Sequence, residues 1–208
     1  AMITFIWSIT NTTAAVTLLC LAAMPFITAL LGFLFLKEKI SLTVWISIIV
    51  AAFGITVMAY DNTAQNSLPG LIFGLISALG FSIFSVSLRW RKETPKFTTV
   101  AIAGLFCFLF SAVMMSSSGA NFLSSGKNEA LFATHGTLVC LGLILYSIAS
   151  KHIPAAELTL LSLTEVIGGI FWVWIPILGI NEIPSQGTII GGFFIFLAII
   201  YYSLIIRT

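Results

Sequence analysis

Residues 12–41 read TTAAVTLLCLAAMPFITALLGFLFLKEKIS, and a similar stretch, IPAAELTLLSLTEVIGGIFWVWIPILGINEIPS, occupies residues 153–185. Both begin with an apolar run that contains an Ala-Ala pair, at an offset of 141 between the two copies. After a three-residue insertion, Ser41 corresponds to Ser185 at an offset of 144, and another apolar segment follows each serine. The sequence therefore contains an internal repeat built from apolar segments of helical length.

The composition requires a lipid environment for these segments. Of the 208 residues, 59% are hydrophobic and only 8% are charged, whereas about a quarter of the residues of a soluble domain are charged. The mean hydropathy is +1.13. A water-soluble fold of this size could not bury so much apolar surface, so the composition predicts an all-α polytopic membrane protein in contact with the lipid bilayer.

The apolar runs define the predicted membrane spans. The first ten residues, AMITFIWSIT, carry no basic region or cleavage site typical of a signal peptide, and they are half the length of a span. They are expected to be the end of a truncated helix, and the chain is expected to be a fragment. Seven complete spans follow, each long enough to cross a hydrocarbon core of about 30 Å. They lie near residues 13–36, 42–60, 68–88, 97–117, 131–150, 154–178 and 186–206.

Basic residues orient these spans. Of the nine Lys and Arg residues, Lys127 falls on one side of the membrane and the other eight fall on the opposite side: Lys37, Lys39, Arg89, Arg91, Lys92, Lys96, Lys151 and Arg207. Short basic loops stay in the cytoplasm, which predicts a plasma-membrane protein with a cytoplasmic C-terminus. The two repeat copies then run in opposite directions. Inverted repeats are a recurrent plan of secondary transporters.

The order of these features resembles a known family. A helix with a central proline, an L-F-L-x-E ending and a second span occur in PFITALLGFLFLKEKISLTVWISIIVAAFGITVM at residues 25–58. This pattern resembles the EamA-type unit of the drug/metabolite transporter superfamily. The resemblance implies ten spans in two inverted five-helix repeats, of which this chain would cover about two thirds. Residues 1–66 would be the C-terminal part of the first repeat and residues 67–208 the second.

Glu165 is the first candidate for a functional residue. It lies about eleven residues into the predicted sixth span, roughly 16 Å along the helix axis and therefore near the bilayer centre. A carboxylate there costs on the order of 2.5–3.5 kcal/mol. Its helical neighbours include Ser162 and Trp172, a polar and an aromatic side chain that suit a cavity. The alternative is a protonated or hydrogen-bonded carboxyl that only fixes helix packing.

Further candidates are Pro25, Thr28 and Tyr146. Pro25 should free a carbonyl near Leu21 and bend its helix near the midplane, as a gate or as a static kink. Thr28 and Tyr146 are candidates for the lining of a substrate pocket. Members of the family often carry Glu-Pro in the second repeat. Here Glu165 matches but is followed by valine, so the proline that would support a kink at that point is absent.

Two function classes remain open. The first is a secondary transporter or exporter of small metabolites such as amino acids, driven by protons or solutes through alternating access. The second is a non-transporting scaffold or subunit on the same fold. The stripe Gly70, Gly74, Ala78 and Ser82 is expected to pack against another helix, with a homodimer face as an alternative.

Other function classes are disfavoured. The paired catalytic groups that an intramembrane enzyme needs are not found, and no P-loop is present. We predict no catalytic residue, no metal site and no cofactor. The basic cluster RWRKETPK at residues 89–96 acts as an orientation signal, so nucleic acid is not an expected partner.

Overall fold

The structure of the chain is a computed structural model. It describes residues 1–37, 41–60, 67–91, 93–119, 126–153, 155–175 and 184–206, and these residues form nine helices and no strand. The all-α class predicted from the sequence is confirmed. The helices are α1 (Met2–Asn11), α2 (Ala14–Leu21), α3 (Met24–Leu36), α4 (Leu42–Tyr60), α5 (Leu68–Trp90), α6 (Lys96–Ser118), α7 (Gly126–Ala149), α8 (Ala155–Trp174) and α9 (Gln186–Ile206).

The helices correspond to the predicted spans, with α2 and α3 forming one interrupted span and α1 forming the short N-terminal piece. Five described helical stretches are long and apolar enough to cross a membrane: Ala14–Leu36, Leu42–Tyr60, Leu68–Trp90, Lys96–Ser118 and Asn128–Ala149. Shorter apolar stretches lie in α8 and α9. The protein is therefore a multi-pass membrane protein. The count of seven spans and the inverted repeat remain predictions.

The chain divides into two compact units. The first contains residues Ala1–Trp90 and Ala155–Thr208, and the second contains Arg91–Pro154. These units are defined by contacts in space. The boundary predicted near residue 66 instead separates the two copies of the sequence repeat. That boundary stays a prediction.

Helices α4 and α9 form the most extensive contact in the first unit. The buried residues of α4 recur at alternating steps of three and four, which is the spacing of a helix–helix seam: Val44, Ser47, Ala51, Gly54 and Met58. Three of these five residues are small, namely Ser47, Ala51 and Gly54. Small residues let two membrane helices approach until their backbones touch.

The closest approach joins Gly54 and Gly191. A Cβ atom at Gly54 would lie 2.5 Å from the Gly191 carbonyl oxygen and 3.1 Å from Ile195 Cγ1, and one at Gly191 would lie 2.5 Å from Met58 Cγ. Gly54 therefore faces Ile195, and Met58, one turn later in α4, faces Gly191, which is one turn earlier in α9. The two helices run antiparallel.

The seam of α9 uses the same register as that of α4. Each buried position of α4 has a buried counterpart 144 residues later, namely Thr188, Gly191, Ile195, Ala198 and Tyr202. The two preceding serines also act alike. Ser41 Oγ accepts a hydrogen bond from Val44 N at 3.4 Å, and Ser185 Oγ accepts one from Thr188 N at 3.1 Å. Both serines therefore cap the helix that follows.

The small-residue stripe of α5 is buried against the first three helices. A Cβ at Gly70 would lie 2.7 Å from Thr12 Cβ, and one at Gly74 would lie 2.9 Å from Cys20 Cβ. Ser8 Oγ donates to the Gly70 carbonyl at 2.8 Å. The predicted role of the stripe in helix packing is confirmed, and a homodimer face stays a prediction.

The second unit contains α6 and α7, which pack on each other. Most side chains of both helices are exposed, and the large apolar ones include Phe106, Phe108, Leu138 and Leu145. Exposed apolar surface of this extent is suited to hydrocarbon and not to water. Contact of the protein with the bilayer follows.

The glycine contact between α4 and α9 predicts a sharp difference between two substitutions. Gly191→Ala should lower the free energy of unfolding by about 1–3 kcal/mol, because the new methyl group meets backbone and Met58. Gly142→Ala is the matched control, since a Cβ there has no atom within 4 Å. It should be neutral or slightly stabilising. Unfolding of the detergent-solubilised protein would measure both. Equal destabilisation by the two variants would contradict the packing.

Candidate functional site

Pro25 stands at an interruption in the first complete span. Helix α2 ends at Leu21 and α3 begins at Met24, with Ala22 and Ala23 forming a turn between them. The Ala22 amide donates to the carbonyls of both Leu18 and Leu19 at 3.1 Å, which tightens the last turn of α2. Proline has no amide proton for the carbonyl four residues earlier. The bend predicted for Pro25 and its role in gating stay predictions.

A hydroxyl from α5 reaches this interruption. Ser82 Oγ lies 3.1 Å from the Met24 carbonyl oxygen and 2.8 Å from that of Ala78, and Ser82 is fully buried. From the sequence we predict for Ser82 only the role of a small residue in a packing stripe. Its hydrogen bond to a different helix was missed. Two features of the sequence could have predicted this bond. Ser82 is the one hydroxyl in a stripe of glycine and alanine, and Pro25 leaves backbone carbonyls of its own span without amide partners.

Thr28 lies one turn after the interruption, and its side chain is 1% exposed. Its hydroxyl makes no hydrogen bond within the described part of the chain. A helical threonine usually bonds the carbonyl four residues earlier, which here is the Met24 carbonyl that accepts from Ser82. A buried hydroxyl without a partner costs about 1–3 kcal/mol.

Helix α8 has a buried face that joins the core of the first unit. Leu163, Val166 and Ile170 belong to the same apolar cluster as Val16 and Leu19 of α2. The helix continues without interruption through Glu165 and Val166. This agrees with valine in place of proline at that point, since valine retains the amide that an α-helix requires.

The opposite face of α8 carries Glu165. Leu161 and Trp172 are 57% and 53% exposed, Glu165 between them is also exposed, and a Cβ at Gly168 would have no atom within 4 Å. Glu165 is the eleventh residue of this twenty-residue helix, about 15 Å from its start. An open face thus surrounds an acidic group in the middle of an apolar helix.

Ser162 lies at the edge of this face and is half-buried. Its hydroxyl donates to the Thr159 carbonyl of the same helix at 2.7 Å. The hydroxyl is therefore satisfied locally in the present conformation. Binding of a substrate group by Ser162 would require rotation of its side chain, and this role stays a prediction.

The equivalent position in the first copy is Met24, at the repeat offset of 141 from Glu165. Met24 is buried, whereas Glu165 is exposed. Although α3 and α8 pack on each other, only α8 presents an acidic side chain on an open face. The two copies therefore differ in chemistry at this matched position.

The structure brings the predicted site residues together only in part. Glu165, Ser162 and Trp172 share one helix, and Pro25 and Thr28 lie on α3, which packs against it. Tyr146 belongs to α7 in the second unit, where it is half-buried. Across the described residues, no three His, Cys, Asp or Glu side chains are grouped as metal ligands would be.

Comparison with known proteins gives a family match for part of the chain. Residues 1–60 match the model of the EamA-like transporter family, which confirms the resemblance to EamA-type transporters. No curated protein sequence matches the chain. A solved crystal structure aligns with 98% of this chain and 71% of its own length, with a TM-score of 0.63 and 16% sequence identity. At this identity the match shows a shared fold.

The open face of α8 predicts accessibility to water. In a protein whose native cysteines are replaced by alanine, Gly168→Cys should react with a membrane-impermeant maleimide. Gly104→Cys on α6 is the matched control, because a Cβ there is equally free of neighbours. It should remain unlabelled if its open surroundings are lipid. Equal labelling of both cysteines, or of neither, would contradict an aqueous environment specific to Glu165.

The unpartnered hydroxyl of Thr28 predicts an unusual effect on stability. Thr28→Val should raise the free energy of unfolding by about 1 kcal/mol or more, because it removes a buried polar group that makes no hydrogen bond. Thr17→Val is the matched control, since the Thr17 hydroxyl is buried and contacts Ser8 Oγ at 2.9 Å. It should destabilise the protein. Destabilisation by Thr28→Val would show that its hydroxyl has a partner.

Proposed function

We propose that the protein is a secondary transporter, and specifically an exporter of small metabolites such as amino acids or related compounds. The family match and the apolar helices support a transporter of the drug/metabolite type. The proposal extends this to alternating access coupled to protons or solutes. It also places the protein in the plasma membrane, with its C-terminus in the cytoplasm as the distribution of basic residues predicts.

The observation that carries the proposal is the exposed carboxyl group of Glu165 in the middle of α8. Facing hydrocarbon, an ionised carboxylate would cost on the order of 2.5–3.5 kcal/mol. Facing a water-filled cavity, it keeps much of its hydration and that cost largely disappears. Ionisable groups in membrane helices accordingly mark substrate and ion pathways.

The chemistry of this face suits a cationic group or a proton. A carboxylate accepts hydrogen bonds from an ammonium group, and it binds a proton when the cavity is acidified. Gly168, less than one turn away, leaves space for a ligand next to the carboxylate. Trp172 adds an aromatic surface on the same side, which attracts cations through its ring face.

Conformational change would use the interruption at Pro25. Helix α8 packs against both α2 and α3, the two helices that meet at the Ala22–Ala23 turn. A change of angle between α2 and α3 would therefore alter the surface on which α8 rests. Short non-helical elements are typical hinge positions, because they absorb backbone rotation without breaking helical hydrogen bonds.

The inverted repeat that alternating access requires is supported by α4 and α9. These helices occupy equivalent places in the two copies, run antiparallel and bury the same register at an offset of 144. If each copy can adopt the conformation of the other, a central site would open first to one side of the membrane and then to the other.

Substitution of the carboxyl group tests the coupling role. In proteoliposomes with the intact protein, efflux of radiolabelled amino acids should depend on pH for the wild type. Glu165→Gln should remove this dependence, because an amide of similar shape cannot bind or release a proton. Glu93→Gln is the matched control, since Glu93 is exposed outside the membrane helices. It should leave the pH profile unchanged.

An unchanged rate and pH profile in Glu165→Gln would refute the role of this residue. If the wild type moves no labelled amino acid, the same vesicles loaded with other metabolite classes test the broader proposal. A protein that transports none of them and whose Gly168→Cys variant resists labelling would instead fit the scaffold alternative.

A further inference from the structure

The Met24 carbonyl oxygen is a potential acceptor for two buried hydroxyl groups. Met24 is the first residue of α3 and directly follows the Ala22–Ala23 turn. Ser82 Oγ, from α5, lies 3.1 Å from this oxygen, and Ser82 is fully buried. Thr28, one turn later in α3, is equally buried, yet its hydroxyl makes no hydrogen bond in the described part of the chain.

Ser82 is the hydroxyl that contacts the Met24 oxygen in the structure. A carbonyl oxygen accepts two hydrogen bonds, and inside an α-helix one of them comes from the amide four residues later, here that of Thr28. The Ser82 hydroxyl lies at 3.1 Å and takes the remaining position. The Thr28 hydroxyl is therefore kept from the acceptor that threonine side chains in helices ordinarily use.

Ser82 can leave the Met24 carbonyl without losing its hydrogen bond. Its Oγ also lies 2.8 Å from the Ala78 carbonyl oxygen of its own helix, and this contact does not depend on where α3 lies. The hydroxyl has a single proton, and the contact with Ala78 is the shorter of the two. Separation of α3 from α5 at this point therefore leaves no unsatisfied hydroxyl on α5.

Thr28 gains a hydrogen bond in the same movement. Once Ser82 has left, rotation of the Thr28 side chain about its Cα–Cβ bond brings its hydroxyl to the Met24 carbonyl, because the two residues are one turn apart in a helix. A buried hydroxyl without a partner disfavours the present arrangement. The gained bond offsets part of the packing between α3 and α5 that the movement loses.

We propose that Ser82 and Thr28 form a latch on the Met24 carbonyl that controls the angle between α2 and α3. In the clasped state, Ser82 contacts Met24 and holds α3 against α5. In the released state, Ser82 bonds only Ala78. Thr28 then bonds Met24, and α3 pivots about the turn. Ser82 is thus a positioning residue for the conformational change. The latch depends on the proposed function, since the turn between α2 and α3 is the hinge in both.

The latch acts on the end of α3 that lies farthest from the turn. Helix α5 contacts α1, α2 and α3 in that order as its own residue numbers rise from Gly70 to Ser82, so α5 and α3 run in the same direction. A pivot at the turn therefore changes the distance between the C-terminal ends of these two helices. Exposed positions near the two ends are Phe35 and Ser87.

Spin labels at Phe35→Cys and Ser87→Cys measure the two states in an intact protein whose native cysteines are replaced by alanine. Double electron–electron resonance in nanodiscs, without substrate, should resolve a shorter distance for the clasped state and a longer one for the released state. Thr28→Val removes a bond of the released state only. It should raise the ratio of clasped to released molecules about fivefold, the effect of one hydrogen bond. Thr28→Ser keeps the hydroxyl and should retain the wild-type ratio.

A double-mutant cycle tests the coupling between the two hydroxyls. In Ser82→Ala the Met24 carbonyl is open to Thr28 in both states, so adding Thr28→Val should change the ratio by less than about twofold. Ser77→Ala is the matched control background. The Ser77 hydroxyl also bonds a carbonyl outside α5, that of Ala1, but this bond is not at the turn. Here Thr28→Val should keep its effect of about fivefold.

Equal effects of Thr28→Val in the wild-type and Ser82→Ala backgrounds would overturn the latch, and so would a single distance that no variant changes. The distances are measured without substrate, so the latch and the proposed function can fail separately. A protein that transports nothing but shows the coupling retains the latch and loses the proposed function. A transporter without the coupling retains the proposed function and loses the latch.

Discussion

The close approach of α4 and α9 at Gly54 and Gly191 is the contact around which the first unit is organised. In hydrocarbon there is no hydrophobic force between helices, so association depends on close packing of backbones and side chains. Glycine at both positions allows contact between main chains that a methyl group would block. The apolar core then extends from this seam to α2, α3, α5 and α8, and it holds α8 with one face inward and the Glu165 face outward.

Much of this architecture could be predicted from the sequence because a membrane leaves few choices. Apolar runs of about twenty residues must be helices, and five of the described helical stretches are long and apolar enough to cross a membrane. Proline at position 25 predicted a bend through the loss of an amide proton; helix α3 begins one residue earlier, at Met24, and the bend itself stays a prediction. The offset of 144, read from Ser41 and Ser185, also aligns the buried residues of α4 and α9.

The candidate site was harder to predict from the sequence, because its properties depend on which face of each helix is covered by other helices. Helical periodicity places Glu165 and Trp172 on the same face of α8. Only the structure shows that the other face packs against α2 and α3, which leaves the Glu165 face exposed. The unpartnered hydroxyl of Thr28 and the buried Lys96 could not be predicted, since burial arises from tertiary contacts that one sequence does not specify. A lysine next to a helix start is ordinarily exposed, and only the structure reveals the exception.

Alternating access as proposed requires that the two copies of the repeat have opposite orientations in the membrane. Leu42 and Gln186 are the first residues of α4 and α9, both are exposed, and they are equivalent at the offset of 144. Single cysteines at these positions, labelled with an impermeant thiol reagent in right-side-out and inside-out vesicles, would report the orientation of each copy. We expect labelling of Leu42→Cys from the cytoplasmic side and of Gln186→Cys from the opposite side. Labelling of both from the same side would contradict it.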